Sequence, residues 1–421
     1  MVWNVLSTSR PIIISMMRSQ DIAVRCERRA FASPREDERS LRRASLGPFQ
    51  WLDGCAASFD RSWDSFDGTV FLRGQFANVH SVYQLAESGF MNEEQAGGIA
   101  LGHRILRLSH VVVNVSDAER SREFYEATTP LRTVSRLRAP SQRFAALGID
   151  SGEFEGYVLD DGTAGRPGQV HLVEWKTPRP VGKPYPVFWH VGIAKLGFGT
   201  KVPAEKRVAQ LAAMGVELTN EKIVRDYVTF TDPDGMVLSF YPDPVKSARY
   251  DHWVHVNAVA TDGDRSTTFY RDYLGLDHHL DVFTDRPLPA SQGPGSDRAQ
   301  WSSHMFAARG DNRLSIDMTQ PLFPPPSPET STVYEEAHHL GISRIGFEVD
   351  DIDAVHALLQ TVPAIGQAPG IAGPPEVWNF GPDYGERKVL SLRDPDGIRL
   401  EFVEKPPRAE SSYLRFAPPQ E

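Results

Sequence analysis

The feature that most constrains the fold of this chain is an internal repeat. The pattern Asp-x-x-Arg-Ser-x-x-Phe-Tyr occurs at residues 117–125 and again at 262–270. Each copy follows an apolar, strand-like segment with a histidine inside it, and His255 follows His110 by the same 145 residues that separate the two patterns. Two signals that share one offset predict two copies of one structural module.

A second repeated phrase closes each copy. Asp-Pro-Asp-Gly stands at 232–235 and at 394–397, and an alternating apolar segment follows it each time. Proline presets φ in such a phrase and glycine supplies a positive φ, so we predict a tight turn that leads into a strand. The alternation places Glu401 on the face opposite the apolar residues, and Ser239 takes the same place in the first copy.

Each copy divides into two units, in which a strand and a helix precede an antiparallel run of strands. Proline-rich segments at 176–186 and 321–328 separate the units. We therefore predict an α+β fold with two modules of paired βαβββ units, module one at 104–246 and module two at 250–406. A small sheet of this kind has one face for its helix and one open face, and two open faces set together would enclose a cleft.

The ends of the chain do not share this pattern. Residues 1–103 are rich in arginine and serine near their start and lack sustained periodicity, so we assign them to a partly disordered extension. An arginine-rich start is also typical of an organellar transit peptide, which is the alternative to the cytoplasmic location that we expect. Residues 407–421 are predicted to form a tail.

Charge and cysteine content narrow the function. The net charge of −10 argues against nucleic acid as a partner, because phosphate binding requires a clustered basic face. No apolar run approaches the roughly 18 residues that cross a bilayer, so we expect no membrane partner. The two cysteines, Cys26 and Cys55, lie near the N-terminus. A metal site in the modules would therefore use histidine and carboxylate ligands.

These motifs resemble the vicinal oxygen chelate superfamily, which includes glyoxalase I, bleomycin-resistance proteins, methylmalonyl-CoA epimerase and extradiol ring-cleaving dioxygenases. The resemblance covers both modules and not the N-terminal extension. It implies a divalent metal in the cleft, with ligands on the first and last strands of each unit. It also implies a substrate whose two adjacent oxygens chelate that metal. The scaffold hosts many chemistries, so the resemblance does not select a reaction.

Carried over position by position, the resemblance implies candidate ligands in both modules. Module one offers His110, Glu174 and His190, with Ser239 in the fourth position, and module two offers His255, Asp317 and Glu401, with Arg344 in the fourth. Serine is a poor ligand, and a guanidinium has no free lone pair. The two histidines and the carboxylate of module one suit Fe(II), which we favour, although Zn, Ni or Mn would also accept such a set.

The way in which the units assemble into a site stays open from the sequence. We expect one competent site within module one and a degenerate module two, where Arg344 pairs with a carboxylate and replaces the charge of the metal. Glyoxalase-type members, in contrast, can build sites from exchanged units. An exchange would group His110 and Glu174 with Arg344 and Glu401, and it would group His190 and Ser239 with His255 and Asp317.

The resemblance implies a metal-dependent enzyme that acts on a small molecule with adjacent oxygens. We favour an extradiol-type dioxygenase, in which the metal orients the oxygens and binds O₂ while a residue such as Tyr384 or Tyr227 moves protons. The first alternative is a glyoxalase- or epimerase-type lyase or isomerase with Glu174 or Glu401 as the base. The second is a metal-free protein that binds a drug or metabolite. A homodimer is compatible with each.

Overall fold

A computed structural model describes most of the repeated region. The described residues are 101–405, apart from 102, 163–167, 186–188, 220–226, 244–250, 286, 289–294, 310, 328–330 and 362–372, together with the backbone of six strands between residues 2 and 75. The chain divides into two compact units, one formed by 1–96 with 281–283 and the other by 97–280 with 284–421. The tail at 407–421 lies outside the described residues, and so does most of the extension predicted to be partly disordered.

The N-terminal unit contains an antiparallel sheet that the sequence pattern does not predict. Its described strands are β1 (Val2–Ser7), β2 (Arg10–Arg18), β3 (Asp21–Cys26), β4 (Ser58–Phe59), β5 (Ser65–Phe66) and β6 (Thr69–Gln75). The strand order is β1-β2-β3-β6-β4, and β5 also pairs with β6.

The second unit contains both modules and confirms the predicted α+β class. Its elements, in chain order, are β7 (Ile105–Asn114), α1 (Ala118–Thr128), β8 (Arg132–Phe144), β9 (Ile149–Asp160), β10 (Gln169–Thr177), β11 (Gly192–Thr200), α2 (Ala204–Ala213), β12 (Val228–Thr231), β13 (Val237–Pro242), β14 (His252–Val259), α3 (Gly263–Thr267), β15 (Asp277–Asp285), β16 (Gln300–Ala308), β17 (Asp311–Phe323), β18 (Gly341–Val349), α4 (Ile352–Thr361), β19 (Glu376–Asn379), β20 (Glu386–Arg393) and β21 (Arg399–Glu404). None of the described helices is both long and apolar enough to cross a bilayer.

The aspartate that opens each repeated pattern caps its helix. The Asp117 carboxylate accepts a hydrogen bond of 3.0 Å from the Arg120 amide at the start of α1, and Asp262 accepts an equal one from Arg265 at the start of α3. Both aspartates have extended backbone, as an N-cap requires. Asp117 and Asp262 are therefore the N-caps of α1 and α3.

The two modules exchange βαβββ units to form their sheets. Among the described strands, sheet 1 has the order β19-β20-β21-β18-β7-β10-β9-β8, and sheet 2 has the order β12-β13-β11-β14-β17-β16-β15. Sheet 1 joins the first unit of module one to the last unit of module two, and sheet 2 joins the remaining two. The expectation of one complete site within module one is therefore wrong. The module boundaries themselves stay predictions.

Alternation along β7 separates the two sides of sheet 1. Val111 and Val113 pack in one apolar core with Tyr125 of α1, so they face the helix side. Val112 belongs to a different cluster, on the open face, which contains Trp175 and Trp378. Aromatic rings fill one end of that face, since Phe144 lies 5.4 Å from Trp175 and 5.2 Å from Trp378 between ring centroids.

The repeated motifs bind to each other across the two sheets. The tyrosine and the arginine of each Asp-x-x-Arg-Ser-x-x-Phe-Tyr pattern contact the two aspartates of an Asp-Pro-Asp-Gly turn. The contacts are Tyr125 with Asp232 at 3.2 Å, Arg120 with Asp234 at 2.8 Å, Tyr270 with Asp394 at 3.0 Å and Arg265 with Asp396 at 2.6 Å. The α1 segment thus contacts the turn before β13 of sheet 2, and the segment that begins with α3 contacts the turn before β21 of sheet 1.

Four rings also stack where β11 and β18 begin. His190 lies on Tyr185, Tyr185 on Tyr334 and Tyr334 on His339, with centroid separations of 3.9, 4.0 and 3.8 Å. Each tyrosine hydroxyl also accepts a hydrogen bond from the backbone N–H of the other tyrosine, at 3.1 and 3.0 Å. The rings of Tyr185 and His190 come from the segment before β11, and those of Tyr334 and His339 come from the segment before β18.

Candidate functional site

One row of polar residues crosses the open face of each sheet. In sheet 1, residues paired on five neighbouring strands are Ser391, Glu401, Gly346, His110 and Gln169. In sheet 2, the residues paired in the same way are Thr229, Ser239, Gly197, His255 and Ser315. The registers also make Arg344 equivalent to Lys195, and His171 equivalent to Asp317.

We define two faces by these residues and their neighbours. Face 1 consists of His110, Gln169, His171, Arg344, Tyr384, Ser391 and Glu401. Face 2 consists of Lys195, Tyr227, Thr229, Ser239, Tyr241, His255 and Asp317.

A glycine makes room for the histidine in each row. A Cβ atom built on Gly346 would lie 2.0 Å from the ring of His110, and one built on Gly197 would lie 2.4 Å from the ring of His255. Each imidazole therefore lies directly on the backbone of the neighbouring strand, and a larger residue there would push the ring away.

Face 1 centres on the Glu401 carboxylate. His110 Nε2 lies 3.1 Å from Glu401 Oε1, and Arg344 Nε donates a hydrogen bond of 2.8 Å to Oε2. His110 Nδ1 lies 2.8 Å from the Ser109 hydroxyl. Burial alone would raise the pKa of Glu401, but Arg344 and His110 outweigh it and the pKa is lowered. Glu401 is therefore an ionised carboxylate with both oxygens engaged.

His171 belongs to face 1, although the sequence analysis did not select it. Its ring stacks on His110 at 4.4 Å between centroids, and the two ring planes are 12° apart. Its Nε2 lies 3.3 Å from Gln169 Oε1 and 3.4 Å from the Tyr384 hydroxyl. Burial, helped by His110 and Arg344, lowers the pKa of His171 well below its usual value, so the ring is neutral. Tyr384, a predicted catalytic residue, thus borders this face.

Glu174 lies on the opposite side of sheet 1. Its Oε2 accepts a hydrogen bond of 3.0 Å from the backbone N–H of Ala118 at the start of α1, and its Oε1 pairs with Lys176. A carboxylate at the N-terminus of a helix is favoured by the helix dipole. The interpretation of Glu174 as a metal ligand or base is wrong for this geometry, because its side chain faces the helix.

The match between Glu174 and Asp317 is also wrong. Gln320, not Asp317, repeats the contact of Glu174, because Gln320 accepts a hydrogen bond of 3.1 Å from the Gly263 N–H at the start of α3. Asp317 takes the place that His171 takes in sheet 1 and does belong to face 2.

His190 precedes β11 and lies in the ring stack. Its Nε2 donates a hydrogen bond of 3.0 Å to the carbonyl of Thr332, and burial lowers its pKa. The structure therefore does not bring together the set predicted for module one, which was His110, Glu174 and His190. The strand position expected for His190 belongs to Lys195.

Face 2 contains a neutral histidine that is influenced by two charged groups. Burial lowers the pKa of His255 to about 4, with Asp317 opposing the shift and Lys195 adding to it. The Lys195 ammonium lies 5.5 Å from the centroid of the Tyr241 ring, which lies 4.9 Å from that of His255. His255 Nε2 is buried and has no hydrogen-bond partner among the described residues.

Two further predicted residues border face 2. Tyr227, a predicted catalytic residue, contacts Tyr241 edge-on at 4.6 Å between centroids. Ser239, judged a poor metal ligand, has its hydroxyl 3.1 Å from that of Thr229, and it has no hydrogen bond to His255 among the described residues.

The donor sets do not fit the divalent metal that the resemblance implies. In face 1, His110 and Arg344 engage both oxygens of Glu401, so neither oxygen of that carboxylate is left without a partner for a metal ion to replace. In face 2, an ammonium group stands beside the single histidine and the single carboxylate. Among the described residues of the second unit, neither face brings three histidine or carboxylate donors together.

Comparisons with known proteins agree with the fold. Residues 252–402 match the model of the Glyoxalase/Bleomycin resistance protein/Dioxygenase superfamily. The resemblance to the vicinal oxygen chelate superfamily is thereby confirmed over these residues. No curated protein matches the chain.

Solved structures similar to this chain include three proteins of low sequence identity. Glyoxalase I from Zea mays is 15% identical, with 72% of this chain and 92% of that chain covered and a TM-score of 0.49. A putative dioxygenase from Bacillus subtilis is 15% identical, with 72% and 86% covered and a TM-score of 0.45. A glyoxalase family protein from Bacillus cereus is 19% identical, with 32% and 93% covered and a TM-score of 0.29.

Proposed function

We propose that this chain binds a compact anionic small molecule at face 2, without a metal ion held by that face. The observation that carries the proposal is the unpartnered, buried Nε2 of His255 next to Lys195. Buried polar atoms in proteins nearly always have a hydrogen-bond partner. A ligand that supplies one hydrogen bond to His255 would complete the site, and the nearby ammonium of Lys195 favours a ligand with a negative charge.

Exposure favours face 2 over face 1 as the place where a ligand enters. At the centre of face 1, the residues are no more than 3% exposed, namely His110, His171, Arg344 and Glu401. In face 2, Lys195, Tyr241 and Asp317 are only partly buried. The Tyr241 ring adds an apolar surface beside the ammonium, which suits the carbon skeleton of a small carboxylate.

This proposal corresponds to the metal-free binding alternative rather than to the dioxygenase. An extradiol-type reaction needs a metal held by two histidines and a carboxylate with positions left open. Face 2 has one histidine and one carboxylate, and Lys195 brings a further positive charge, so its donor chemistry supports anion binding.

A second candidate is a proton-transfer enzyme of the isomerase or lyase type. It is favoured by the neutral state of His255, because a neutral imidazole can accept a proton from a bound substrate and Asp317 would stabilise the charged form. Binding of an anion would raise the pKa of His255 toward the working range of a general base. Exchange of carbon-bound hydrogen for deuterium in bound α-hydroxy ketones would distinguish this enzyme from a binding protein.

The test is a calorimetric or NMR titration with pairs of small carboxylates and their neutral amides, carried out with a chelator present. We expect carboxylates to bind at least about tenfold more tightly than their amides, since a charge-assisted hydrogen bond contributes roughly 1.5–3 kcal/mol. Lys195→Gln and His255→Gln should each remove this preference. Lys201→Gln, which removes a lysine just beyond the same strand, is the control and should keep it. Equal affinity for acids and amides, or full binding by Lys195→Gln, would rule out the proposal.

A further inference from the structure

The geometry points to Arg344 as a built-in replacement for a metal ion in face 1. The face retains three side chains of the kinds that bind metals, namely His110, His171 and Glu401. The guanidinium of Arg344 supplies the positive charge that these groups would otherwise receive from a bound cation. We infer that Arg344 prevents metal binding and that replacing it would create a metal site.

Arg344 is buried in face 1 and contacts Glu401 directly. Its side chain is 2% exposed, and its Nε donates to Glu401 at 2.8 Å. The register of β18 shifts between Ile342 and Arg344, at a bulge in its pairing with β7. Bulges re-aim side chains, and this one accompanies an arginine directed into the same polar row as His110.

The positive charge of Arg344 opposes the binding of a cation in face 1. A guanidinium stays protonated in proteins, so Arg344 cannot yield its charge to an arriving cation. A divalent ion bound to Glu401 would meet that fixed charge in a site from which water is largely excluded, where repulsion is strong. The wild-type face therefore disfavours a metal even though imidazole and carboxylate groups are present.

Some buried polar atoms of face 1 have unused hydrogen-bonding capacity. Arg344 Nη1, Gln169 Nε2 and Ser391 Oγ are buried without a hydrogen-bond partner among the described residues. The guanidinium thus satisfies Glu401 but leaves part of its own hydrogen-bonding capacity unused. A shorter side chain at 344 would leave a polar space beside Glu401, His110 and His171, which an ion with its bound water could fill.

The test is a titration with Co²⁺, whose visible absorption reports the number and kind of its ligands. We expect Arg344→His to bind one additional Co²⁺ per chain relative to the wild type, and a further Glu401→Gln change to abolish that binding. The control is Arg107→His, because Arg107 makes a similar 2.8 Å ion pair with Glu348 between β7 and β18. This control should gain no site that depends on Glu401.

Two results would overturn the inference. One is Co²⁺ binding by the wild-type chain that disappears in His110→Gln, which would show that Arg344 does not keep metals out. The other is a folded Arg344→His variant, verified by circular dichroism, that gains no Co²⁺. If Arg344→His does not fold, the wild-type and His110→Gln titrations still decide whether face 1 excludes metal, and the smaller change Arg344→Gln tests the gain of a site.

Discussion

The hydroxyl of Tyr270 donates a 3.0 Å hydrogen bond to the buried carboxylate of Asp394, which precedes the last strand of the other sheet. Tyr125 and Asp232 form the matching contact in the opposite direction. The two repeated phrases of the sequence are therefore the two halves of one contact between sheets. Their recurrence reflects assembly of the fold rather than direct participation in a reaction.

We predict that Tyr270→Phe lowers the free energy of unfolding by about 1–3 kcal/mol, because it removes a hydrogen bond from a buried carboxylate. The measurement is urea unfolding followed by fluorescence. Tyr273→Phe is the control, since Tyr273 lies on the same helical segment and has no side-chain hydrogen bond among the contacts described. Equal losses in the two variants would contradict a role for the Tyr270 contact.

The stability of the chain should depend on pH through Asp394. Burial, and then the charge of Asp396, raise the pKa of Asp394 to about 7, whereas an aspartate in an unfolded chain has a pKa of about 3.9. The folded state holds the extra proton between these values, so the stabilisation is complete below about pH 4 and is lost as pH rises through 7. Relative to Asp394→Asn, the wild type should lose stability from pH 5 to pH 8. Parallel pH profiles for the two proteins would refute this.

The buried ion pair of face 1, which joins β18 to β21, should cost more to break than the outer pair between β7 and β18. Glu401→Gln leaves the Arg344 charge buried without its partner, which typically costs about 3–5 kcal/mol. Glu348→Gln disrupts the partly exposed pair with Arg107 and should cost about 1 kcal/mol or less. Chemical denaturation measures both. Replacing Arg344 and Glu401 together with Met should recover part of the loss, and a strictly additive loss would contradict the pairing.

Gly197 should control binding at face 2. In Gly197→Ala, the new methyl group would overlap the ring of His255 and displace it, so carboxylate affinity should fall by about tenfold or more, as expected when a charged or polar contact is lost. Gly199→Ala is the control on the same strand, because the nearest side chain to its new Cβ is 3.0 Å away at Val254. Titration with the carboxylates described above compares the two, and unchanged affinity in Gly197→Ala would exclude His255 from the site.

The sequence predicts those features that depend on local pattern. The helix cap at Asp117, the two Asp-Pro-Asp-Gly turns and the open-face positions of His110, His255 and Glu401 all follow from residue type and spacing. The choice of Glu174 over His171 fails because β10 has both apolar and polar residues on each of its faces, so alternation cannot show which residues face inward. The pairing of Gln169 with His110 across two parallel strands shows that His171 lies on the same face as His110 and that Glu174 does not.

Other features depend on distant pairing and could not be predicted. The exchange of units rests on β7 pairing with β18, which are far apart in sequence. The prediction that His190 would lie on a strand of the open face is wrong for a related reason. The segment before Gly192 resembles a strand in the sequence, but β11 begins at Gly192 and places Lys195 on that face. The replacement of a metal ligand by Arg344 could be read from the sequence, but its hydrogen bond to Glu401 required the assembled sheet.

The exchange of units also determines how the two halves of this chain can change over time. Each face draws its polar row from both modules, so a substitution in one module alters chemistry that the other module completes. The two copies of the repeat are therefore not free to diverge as separate proteins would be. If the halves were produced as separate polypeptides, neither would contain a whole face, and any recovery of ligand binding would require that they find each other and associate.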